Sequence, residues 1–234
     1  MAFKRNLENE KQRLENESFM HLVDVLSDEF VASLRKCGED IRRNKMPEVE
    51  AWHIPGKKRQ YLFDFPSTDF LKEFCKGIGQ ITGYDPEKIT VGERHIKVYL
   101  EEAPEYPAPH MDRKAAEFTI GFPIHISEGS RVCFFPHLSR EENCGQRAIY
   151  ADVPPSTNMK EYYNDERIHQ FEGKIGDMFI FHGSTIFHER IRSAGSMILY
   201  IKINASGQDP LGEHASMLER FKTAKQKPGF AEAV

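Results

Sequence analysis

The stretch Ala108-Pro109-His110-Met111-Asp112 places an imidazole and a carboxylate two positions apart. Side chains alternate between the two faces of a β-strand, so His110 and Asp112 are expected to point to the same side of an extended chain. Both groups are metal ligands, and a third ligand must then come from elsewhere in the chain. The best candidate lies far downstream, in Phe187-His188-Glu189. The sequence therefore predicts a fold that brings residues 110, 112 and 188 together.

The proposed ligand set indicates a particular kind of metal site. Two imidazoles and one carboxylate on one side of a metal leave the opposite positions open, as in non-haem Fe(II) oxygenases. His182 competes with His188 for the third position, because it lies six residues earlier at the end of an apolar segment. The even spacing would place both histidines on one face of a strand, although the Gly183-Ser184 turn interrupts it. Both histidines are candidates on spacing alone.

Short apolar segments surround these residues, from about residue 90 to residue 205. Within residues 96–101, Ile, Val and Leu alternate with Lys, Tyr and Glu, which is typical of a half-buried strand. Further strand-length segments, each bounded by Gly, Pro, Ser or Asn, are 118–126, 131–135, 148–151, 178–181 and 197–203. Many short strands separated by turns predict a sandwich or a barrel.

Helical patterns precede and follow these strands. Apolar residues recur at helical spacing from Phe19 to Leu34, with Ser18 as a candidate cap. Ser67 is expected to open a second helix that ends at Gly79 or Gly83. We expect one domain in three parts. Residues 1–88 form a helical region that packs on the barrel, and residues 89–205 form the catalytic core of the prediction. Residues 206–234 form a tail with one short helix from about residue 213.

Composition excludes several classes of function. The chain has 234 residues, of which 39% are hydrophobic and 29% charged, and its net charge is −4 without a dense basic block. Nucleic-acid binding through phosphate neutralisation is therefore not favoured. No apolar run approaches the ~18 residues of a membrane span, and the charged N-terminus does not resemble a signal peptide. Four scattered cysteines suit a reducing cytoplasm.

His110-Met111-Asp112 resembles the HxD signature of the Fe(II)/2-oxoglutarate-dependent oxygenases. The segment from Gly176 to His188 is similar to the part of that family that carries its distal histidine. In both, a Gly-Asp turn opens an apolar strand, and the metal histidine follows after a short turn. This order favours His188 over His182. The resemblance covers roughly residues 90–205.

The resemblance implies a mainly β fold with flanking α-helices, whose core is a double-stranded β-helix, or jelly roll. It implies that His110, Asp112 and His188 bind Fe(II). It also implies that 2-oxoglutarate is the co-substrate and chelates this metal. Such enzymes use O2 to hydroxylate or desaturate a C–H bond. Since Asp112 is present, where halogenating relatives have Gly or Ala, oxidation rather than halogenation is expected. We expect a small-molecule substrate, an amino acid or a natural-product intermediate.

One departure from the family concerns the cation that binds the distal carboxylate of 2-oxoglutarate. Many members carry it on the last strand, where this chain has only apolar residues at 197–199. Arg131, Lys202 and Arg192 are the candidate substitutes. We favour Arg131, because a guanidinium binds a carboxylate through two hydrogen bonds. Tyr99 shares a strand face with Lys97 and is a candidate donor to 2-oxoglutarate or substrate, or else a plain core tyrosine.

This departure leaves two other functions open. One is a cupin-like metalloenzyme that has the same triad but does not use 2-oxoglutarate. The other is a non-enzymatic jelly-roll module, against which the cost of burying two histidines and a carboxylate without a partner argues. The loops expected to recognise substrate are residues 52–66 and 153–168, the second a candidate lid. The basic run Lys57-Lys58-Arg59 is either a solvated turn or a contact for an acidic substrate.

Overall fold

The computed structural model describes residues 1–138 and 141–226. Within these residues, eleven β-strands form two antiparallel sheets. The strands are β1 (Phe19–Leu22), β2 (Lys58–Leu62), β3 (Thr90–Tyr99), β4 (His110–Met111), β5 (Phe118–His125), β6 (Arg131–Phe134), β7 (Ile149–Tyr150), β8 (His169–Phe171), β9 (Met178–His182), β10 (His188–Ile191) and β11 (Met197–Asn204). The helices are α1 (Lys11–Glu17), α2 (Asp28–Arg42), α3 (Thr68–Thr82), α4 (Met159–Tyr162) and α5 (Glu213–Gln226).

The strand order is that of a double-stranded β-helix. The first sheet has the order β1-β9-β5-β11-β3-β2, and the second has the order β7-β4-β10-β6-β8. From β3 to β6, and again from β8 to β11, consecutive strands of the core alternate between the sheets. The rings of Phe134 and Phe181 meet with centroids 5.0 Å apart and join the inner faces of the sheets. The predicted fold class is confirmed.

Helices α2 and α3 cover the outer face of the first sheet. The hydroxyl oxygens of Ser27 and Ser67 accept hydrogen bonds from the third residue of each following helix, which fixes both N-termini. Helix α3 ends at Gly83, whose φ of 75° is the left-handed conformation that glycine adopts without strain. The predicted second helix is confirmed, with Ser67 as its cap.

The prediction of one helix from Phe19 is wrong for residues 19–22. These residues form β1, which pairs along β9 at the edge of the first sheet. Ser18 ends α1 with a φ of 68°, and the next helix begins only after Ser27. Pairing with the free edge of β9 satisfies the backbone of residues 19–22 and buries their apolar side chains, and this tertiary gain overrides the helical spacing.

The ends of the chain contribute to the same structure. Strands β1 and β2 both lie in the first 88 residues and extend the first sheet at its two edges. The predicted helix after residue 213 is confirmed as α5, while residues 227–234 lie outside the described part of the chain. The division at residues 88 and 205 stays a prediction. No helix among the described residues has the length and apolar character needed to cross a membrane.

The segment after β7 packs on the outer face of the second sheet. Tyr163 is 1% exposed, and its hydroxyl donates a hydrogen bond to the carbonyl oxygen of Pro107 at 2.6 Å. Its ring meets the ring of Phe135 at 5.4 Å. Residues 153–168, predicted as a loop and candidate lid, therefore include the short helix α4 and a tyrosine that attaches the segment to the sheet.

The aromatic layer between the helices and the first sheet generates a stability prediction. Phe30 is fully buried, and its ring lies 5.1 Å from that of Phe122 and 5.2 Å from that of Phe70. Phe30→Ala is expected to lower the free energy of unfolding by roughly 3–5 kcal/mol, because it removes apolar contacts and leaves a cavity. Val23→Ala, at a position that is 56% exposed, is the control and should change it by less than about 0.5 kcal/mol. Equal losses in urea titrations of the two variants would contradict this packing.

Candidate metal centre

The two predicted histidine ligands meet because their strands are neighbours. Strand β10 pairs with β4 through the register His188↔His110. The two imidazole rings have centroids 4.6 Å apart. Asp112 follows directly after β4, where its backbone N–H donates to the carbonyl oxygen of Gly183 at 2.8 Å. Antiparallel pairing and one backbone hydrogen bond therefore bring both segments of the chain to one point.

The three side chains form a compact cluster of donor atoms. One ligand atom from each of His110, Asp112 and His188 lies within 4.8 Å of the other two. The Nε2 atom of His110 is 3.8 Å from Oδ1 of Asp112, and the Nε2 atom of His188 is 3.6 Å from Oδ2. Asp112 and His188 are buried, and His110 is half-buried. The cluster is thus open on the side of His110.

Each histidine has an oxygen atom close to its other ring nitrogen. Nδ1 of His188 lies 3.0 Å from the carbonyl oxygen of Ile186, so it donates and leaves the Nε2 lone pair directed at the cluster. Nδ1 of His110 lies 3.3 Å from Oε2 of Glu189. Lys57 approaches the same carboxylate oxygen at 3.2 Å. This carboxylate–histidine arrangement is the one that usually supports a metal-binding imidazole.

Asp112 is held by two donors, one at each oxygen. Lys202 donates to Oδ1 at 2.7 Å, and Thr119 donates to Oδ2 at 2.6 Å. Lys202 also lies 3.4 Å from Glu93. Although burial opposes ionisation of Asp112, the Lys202 ammonium and the neighbouring imidazoles hold its pKa well below the usual range. The carboxylate is therefore charged, and its remaining lone pairs can coordinate a cation.

Gly183 allows the close approach of the turn to Asp112. A Cβ atom at this position would lie 2.9 Å from Oδ2 of Asp112 and 2.6 Å from the hydroxyl oxygen of Thr119. The first contact would displace the carboxylate, and the second would displace the hydroxyl that donates to it. The glycine in the turn between β9 and β10 is therefore part of the cluster's construction.

The donor set fits a ferrous ion. Two imidazole nitrogens and one carboxylate oxygen are the ligand types of non-haem Fe(II) sites, and here they converge on one face. Burial, together with the neighbouring His110, lowers the pKa of His188 to about 4, so its Nε2 carries no proton at neutral pH. The cluster therefore presents a neutral imidazole and a carboxylate that are ready to bind a cation.

A cavity continues from the cluster into the barrel between the two sheets. Besides the cluster, its lining includes several cationic and phenolic side chains, namely Lys58, Lys97, Tyr99, Arg190 and Tyr200. Arg190 lies on the same strand as His188 and is 2% exposed. Its guanidinium donates to the hydroxyl oxygens of Tyr200 and Ser130, each at 3.3 Å. No carboxylate among the described residues lies within 4.0 Å of its nitrogens.

The structure places the other predicted site residues in two groups. Tyr99 and Lys202 line the cavity. Arg131 and Arg192 instead have half-exposed side chains that pair with surface carboxylates, Arg131 with Glu172 at 3.0 Å and Arg192 with Glu105 at 3.3 Å. Neither arginine lines the cavity, because β6 and the turn after β10 direct both to the surface, in contrast to the expectation for Arg131.

His182 lies at the end of β9, outside the cluster. Its ring packs on that of Phe118 with centroids 4.2 Å apart, and burial lowers its pKa. It does not line the cavity. The structure therefore brings His188, and not His182, next to His110 and Asp112.

Arg190 and Glu189 are the functional candidates that the sequence analysis missed. Strand alternation from His188 would have predicted that Arg190 points into the barrel, since the two are separated by two positions. Glu189 had no comparable signal. Its contact with His110 depends on the pairing of β10 with β4.

Comparisons with solved structures support the fold. The α-ketoglutarate-dependent non-haem epimerase SnoN of nogalamycin biosynthesis has a TM-score of 0.54 and 15% identity, covering 84% of this chain and 80% of its own. A Trichoplax adhaerens prolyl hydroxylase in complex with a hypoxia-inducible-factor peptide has a TM-score of 0.54 and 9% identity, covering 90% and 92%. HygX of Streptomyces hygroscopicus, solved with nickel, 2-oxoglutarate and hygromycin B, has a TM-score of 0.50 and 9% identity, covering 85% and 87%.

No family model and no curated protein sequence matches the chain. At these low identities the structural likeness shows the fold alone. The chain has the jelly-roll fold of 2-oxoglutarate-dependent Fe(II) oxygenases, and it carries a His-Asp-His cluster that can hold a metal ion. The resemblance noted in the sequence is confirmed for the fold.

The partner of His110 generates the first prediction for this site. Glu189→Gln is expected to weaken Fe(II) binding about 10–100-fold, because it removes the charge that supports the His110 imidazole. Glu105→Gln, which alters an exposed ion pair with Arg192, is the matched control and should leave the affinity unchanged. Anaerobic calorimetric titration with Fe(II) measures both. An unchanged affinity in Glu189→Gln would remove Glu189 from the metal site.

The choice between the two downstream histidines is a second prediction. His188→Ala is expected to abolish stoichiometric binding of Fe(II), because it removes one of three ligands. His182→Ala should retain it, since that ring packs on Phe118 outside the cluster. The same titration distinguishes them, and loss of binding in His182→Ala alone would reverse the assignment.

Proposed function

We propose that the protein is an Fe(II)- and 2-oxoglutarate-dependent oxygenase that oxidises a C–H bond of a small molecule. The observation that carries this proposal is the convergence of His110, Asp112 and His188 at one end of a cavity between the sheets of a jelly roll. When bound, iron and 2-oxoglutarate supply the oxidising chemistry. The chain's own residues bind both groups, hold the substrate and exclude water from the site.

His110, Asp112 and His188 are the iron ligands in this proposal. Lys202 was a candidate for binding 2-oxoglutarate, but its ammonium is already bound to Asp112 and Glu93. We assign it to orienting the Asp112 carboxylate. Removal of Lys202 would leave a buried carboxylate without its strongest partner.

Arg190 is the best candidate for binding the distal carboxylate of 2-oxoglutarate. It lies two positions after His188 on β10, which places its Cα about 6.6 Å further along the strand. That spacing suits a five-carbon dicarboxylate chelated to the metal at one end. Among the described side chains the guanidinium hydrogen-bonds only to hydroxyl groups and otherwise lies 6.0 Å from the ring centroid of Phe179, so it can bind a carboxylate through two hydrogen bonds. This assignment supplies the cation that residues 197–199 lack.

Two tyrosines complete the proposed 2-oxoglutarate pocket. Burial and the neighbouring Tyr200 raise the pKa of Tyr99 well above its ordinary value, so the phenol stays protonated and can donate a hydrogen bond. Tyr200 already contacts Arg190 through its hydroxyl oxygen. Tyr99 therefore remains a candidate hydrogen-bond donor in the pocket, as the sequence predicted.

The substrate class is the less constrained part of the proposal. HygX was solved with hygromycin B, and SnoN was solved with nogalamycin RO. Both ligands are small molecules. By analogy with these jelly rolls we propose a small-molecule substrate, an amino acid or a natural-product intermediate, and either hydroxylation or desaturation as the outcome.

The central test uses the metal-free protein under anaerobic conditions. Adding Fe(II) and then 2-oxoglutarate is expected to produce the weak visible charge-transfer absorption of an iron–keto-acid chelate, and admission of O2 should release succinate. Iron binding without this absorption would instead favour a cupin-like metalloenzyme that does not use 2-oxoglutarate. Absence of iron binding would contradict both functions.

The assignment of Arg190 generates a further prediction. Arg190→Met is expected to weaken 2-oxoglutarate binding by about 30-fold or more, since loss of a buried charge-assisted pair costs about 2 kcal/mol or more. Arg131→Met is the control and should bind 2-oxoglutarate normally, because its guanidinium pairs with Glu172 at the surface. Calorimetric titration of 2-oxoglutarate into Ni(II)-loaded variants measures both dissociation constants. A large loss in Arg131→Met alone would restore the original assignment.

A further inference from the structure

We propose that the substrate of this site carries an anionic group, a carboxylate, sulfate or phosphate, which is bound by Lys58 and Lys97 beside the metal centre. This inference rests on the proposed function and specifies its substrate class. It also gives a role to Lys58, the middle residue of the basic run Lys57-Lys58-Arg59, which the proposed function does not use.

The three residues of the basic run have different environments. Lys57 is paired with Glu189 at 3.2 Å. Arg59 is half-exposed and lies 3.7 Å from Glu48 at the surface. Lys58 lines the cavity that contains the cluster. The alternation of β2 thus directs one cation of the run inward and its neighbour outward.

Lys97 reaches the same cavity from the adjacent strand. Strand β2 pairs with β3, which places Lys58 opposite Tyr99, two positions from Lys97. The Lys97 ammonium lies 4.7 Å from the ring centroid of Tyr200, and the Lys58 ammonium lies 5.8 Å from that of Tyr99. Both cations are therefore positioned against aromatic rings, which attract them only weakly compared with a carboxylate.

Neither ammonium has an anionic partner. Over residues 1–138 and 141–226, no carboxylate oxygen lies within 4.0 Å of either Lys58 or Lys97. The carboxylates of the cavity already have closer cations, Lys202 for Asp112 and Lys57 for Glu189. Two half-buried cations thus line the cavity without a direct carboxylate partner, and only more distant carboxylates such as Glu189 offset their charge.

This arrangement is costly unless a ligand completes it. Burial, aided by nearby Lys97, lowers the pKa of Lys58 well below its usual range, and burial with nearby Lys202 lowers the pKa of Lys97 to about 8. A charged group that is removed from water without a partner is destabilising, whereas a bound anion would restore the pairing. An anionic ligand is therefore the complement of this wall.

2-Oxoglutarate alone does not account for the excess charge. Its keto-acid end is assigned to the metal, and its distal carboxylate is assigned to Arg190. Lys58 and Lys97 lie against the rings of Tyr99 and Tyr200 and so adjoin the proposed 2-oxoglutarate pocket, but neither of its two carboxylates is assigned to them. A second anionic molecule, the substrate, is the ligand that these two lysines fit.

The test uses the full chain loaded with Ni(II) and saturated with 2-oxoglutarate. The probes are inorganic phosphate, sulfate, acetate and benzoate, with acetamide and benzamide as neutral matches. In calorimetric titrations, one or more of the anions is expected to bind about tenfold more tightly than its neutral reference, or better. Acetamide is the reference for acetate, phosphate and sulfate, and benzamide is the reference for benzoate. The preferred anion then identifies the chemical group that the substrate carries.

Variants locate the binding. Lys58→Met and Lys97→Met are each expected to weaken the preferred anion about tenfold or more. Lys58→Arg should retain binding because it retains the charge. Arg59→Met is the matched control on the same strand and should bind the anion normally. Thermal unfolding of each variant verifies that the fold is intact.

Three results would overturn the inference. The first is an absence of anion binding, or equal binding of anions and neutral matches. The second is unchanged anion affinity in both methionine variants. The third is a tenfold loss of 2-oxoglutarate affinity in those variants, since the lysines would then bind the co-substrate itself. If wild-type protein fails to bind 2-oxoglutarate, the proposed function fails; if only the anions fail, the proposed function stands.

Discussion

The pairing of β10 with β4 is the interaction on which the site depends. A single register, His188↔His110, aligns two imidazoles from distant parts of the chain. The same pairing brings the carboxylate of Glu189 close to Nδ1 of His110. A shift of one residue would turn His188 to the other face of its sheet and would separate the cluster. The jelly roll therefore positions the three side chains through the pairing of its backbone strands.

The charged side chains of the cavity are paired unequally. Asp112 is balanced by Lys202, and Glu189 is balanced by Lys57, so the carboxylates at the metal site are already compensated. The remaining cations, Lys58, Lys97 and Arg190, line the same cavity against tyrosine rings and hydroxyl groups. In the two proposals, 2-oxoglutarate and an anionic substrate would supply the negative groups that pair with these cations. The site thus fits ligands whose total charge is negative.

Much of the fold could be predicted because its signals are local. Alternation of apolar and polar residues identified β3, strand-length apolar segments between turn residues identified β5 and β11, and the cap at Ser67 identified α3. The strand at residues 19–22 could not be predicted, because their apolar residues suit either a helix or a strand. The free edge of β9 selects the strand.

The site shows the same division between local and tertiary signals. The cluster of His110, Asp112 and His188 could be anticipated because a short motif contains two of its three members. Arg190 was not predicted, because the family resemblance indicates a cation on the last strand or on an earlier one, whereas only the alternation after His188 indicates Arg190. The inward direction of Lys58 and the contact of Glu189 with His110 depend on strand pairing, which no local pattern reports.

The most direct measurement of the central claim is the iron-edge anomalous map of a crystal grown anaerobically with Fe(II). The account predicts one strong peak coordinated by Nε2 of His110, Nε2 of His188 and an oxygen of Asp112. A peak at any other place, or a peak at this place that lacks one of the three ligands, would contradict it.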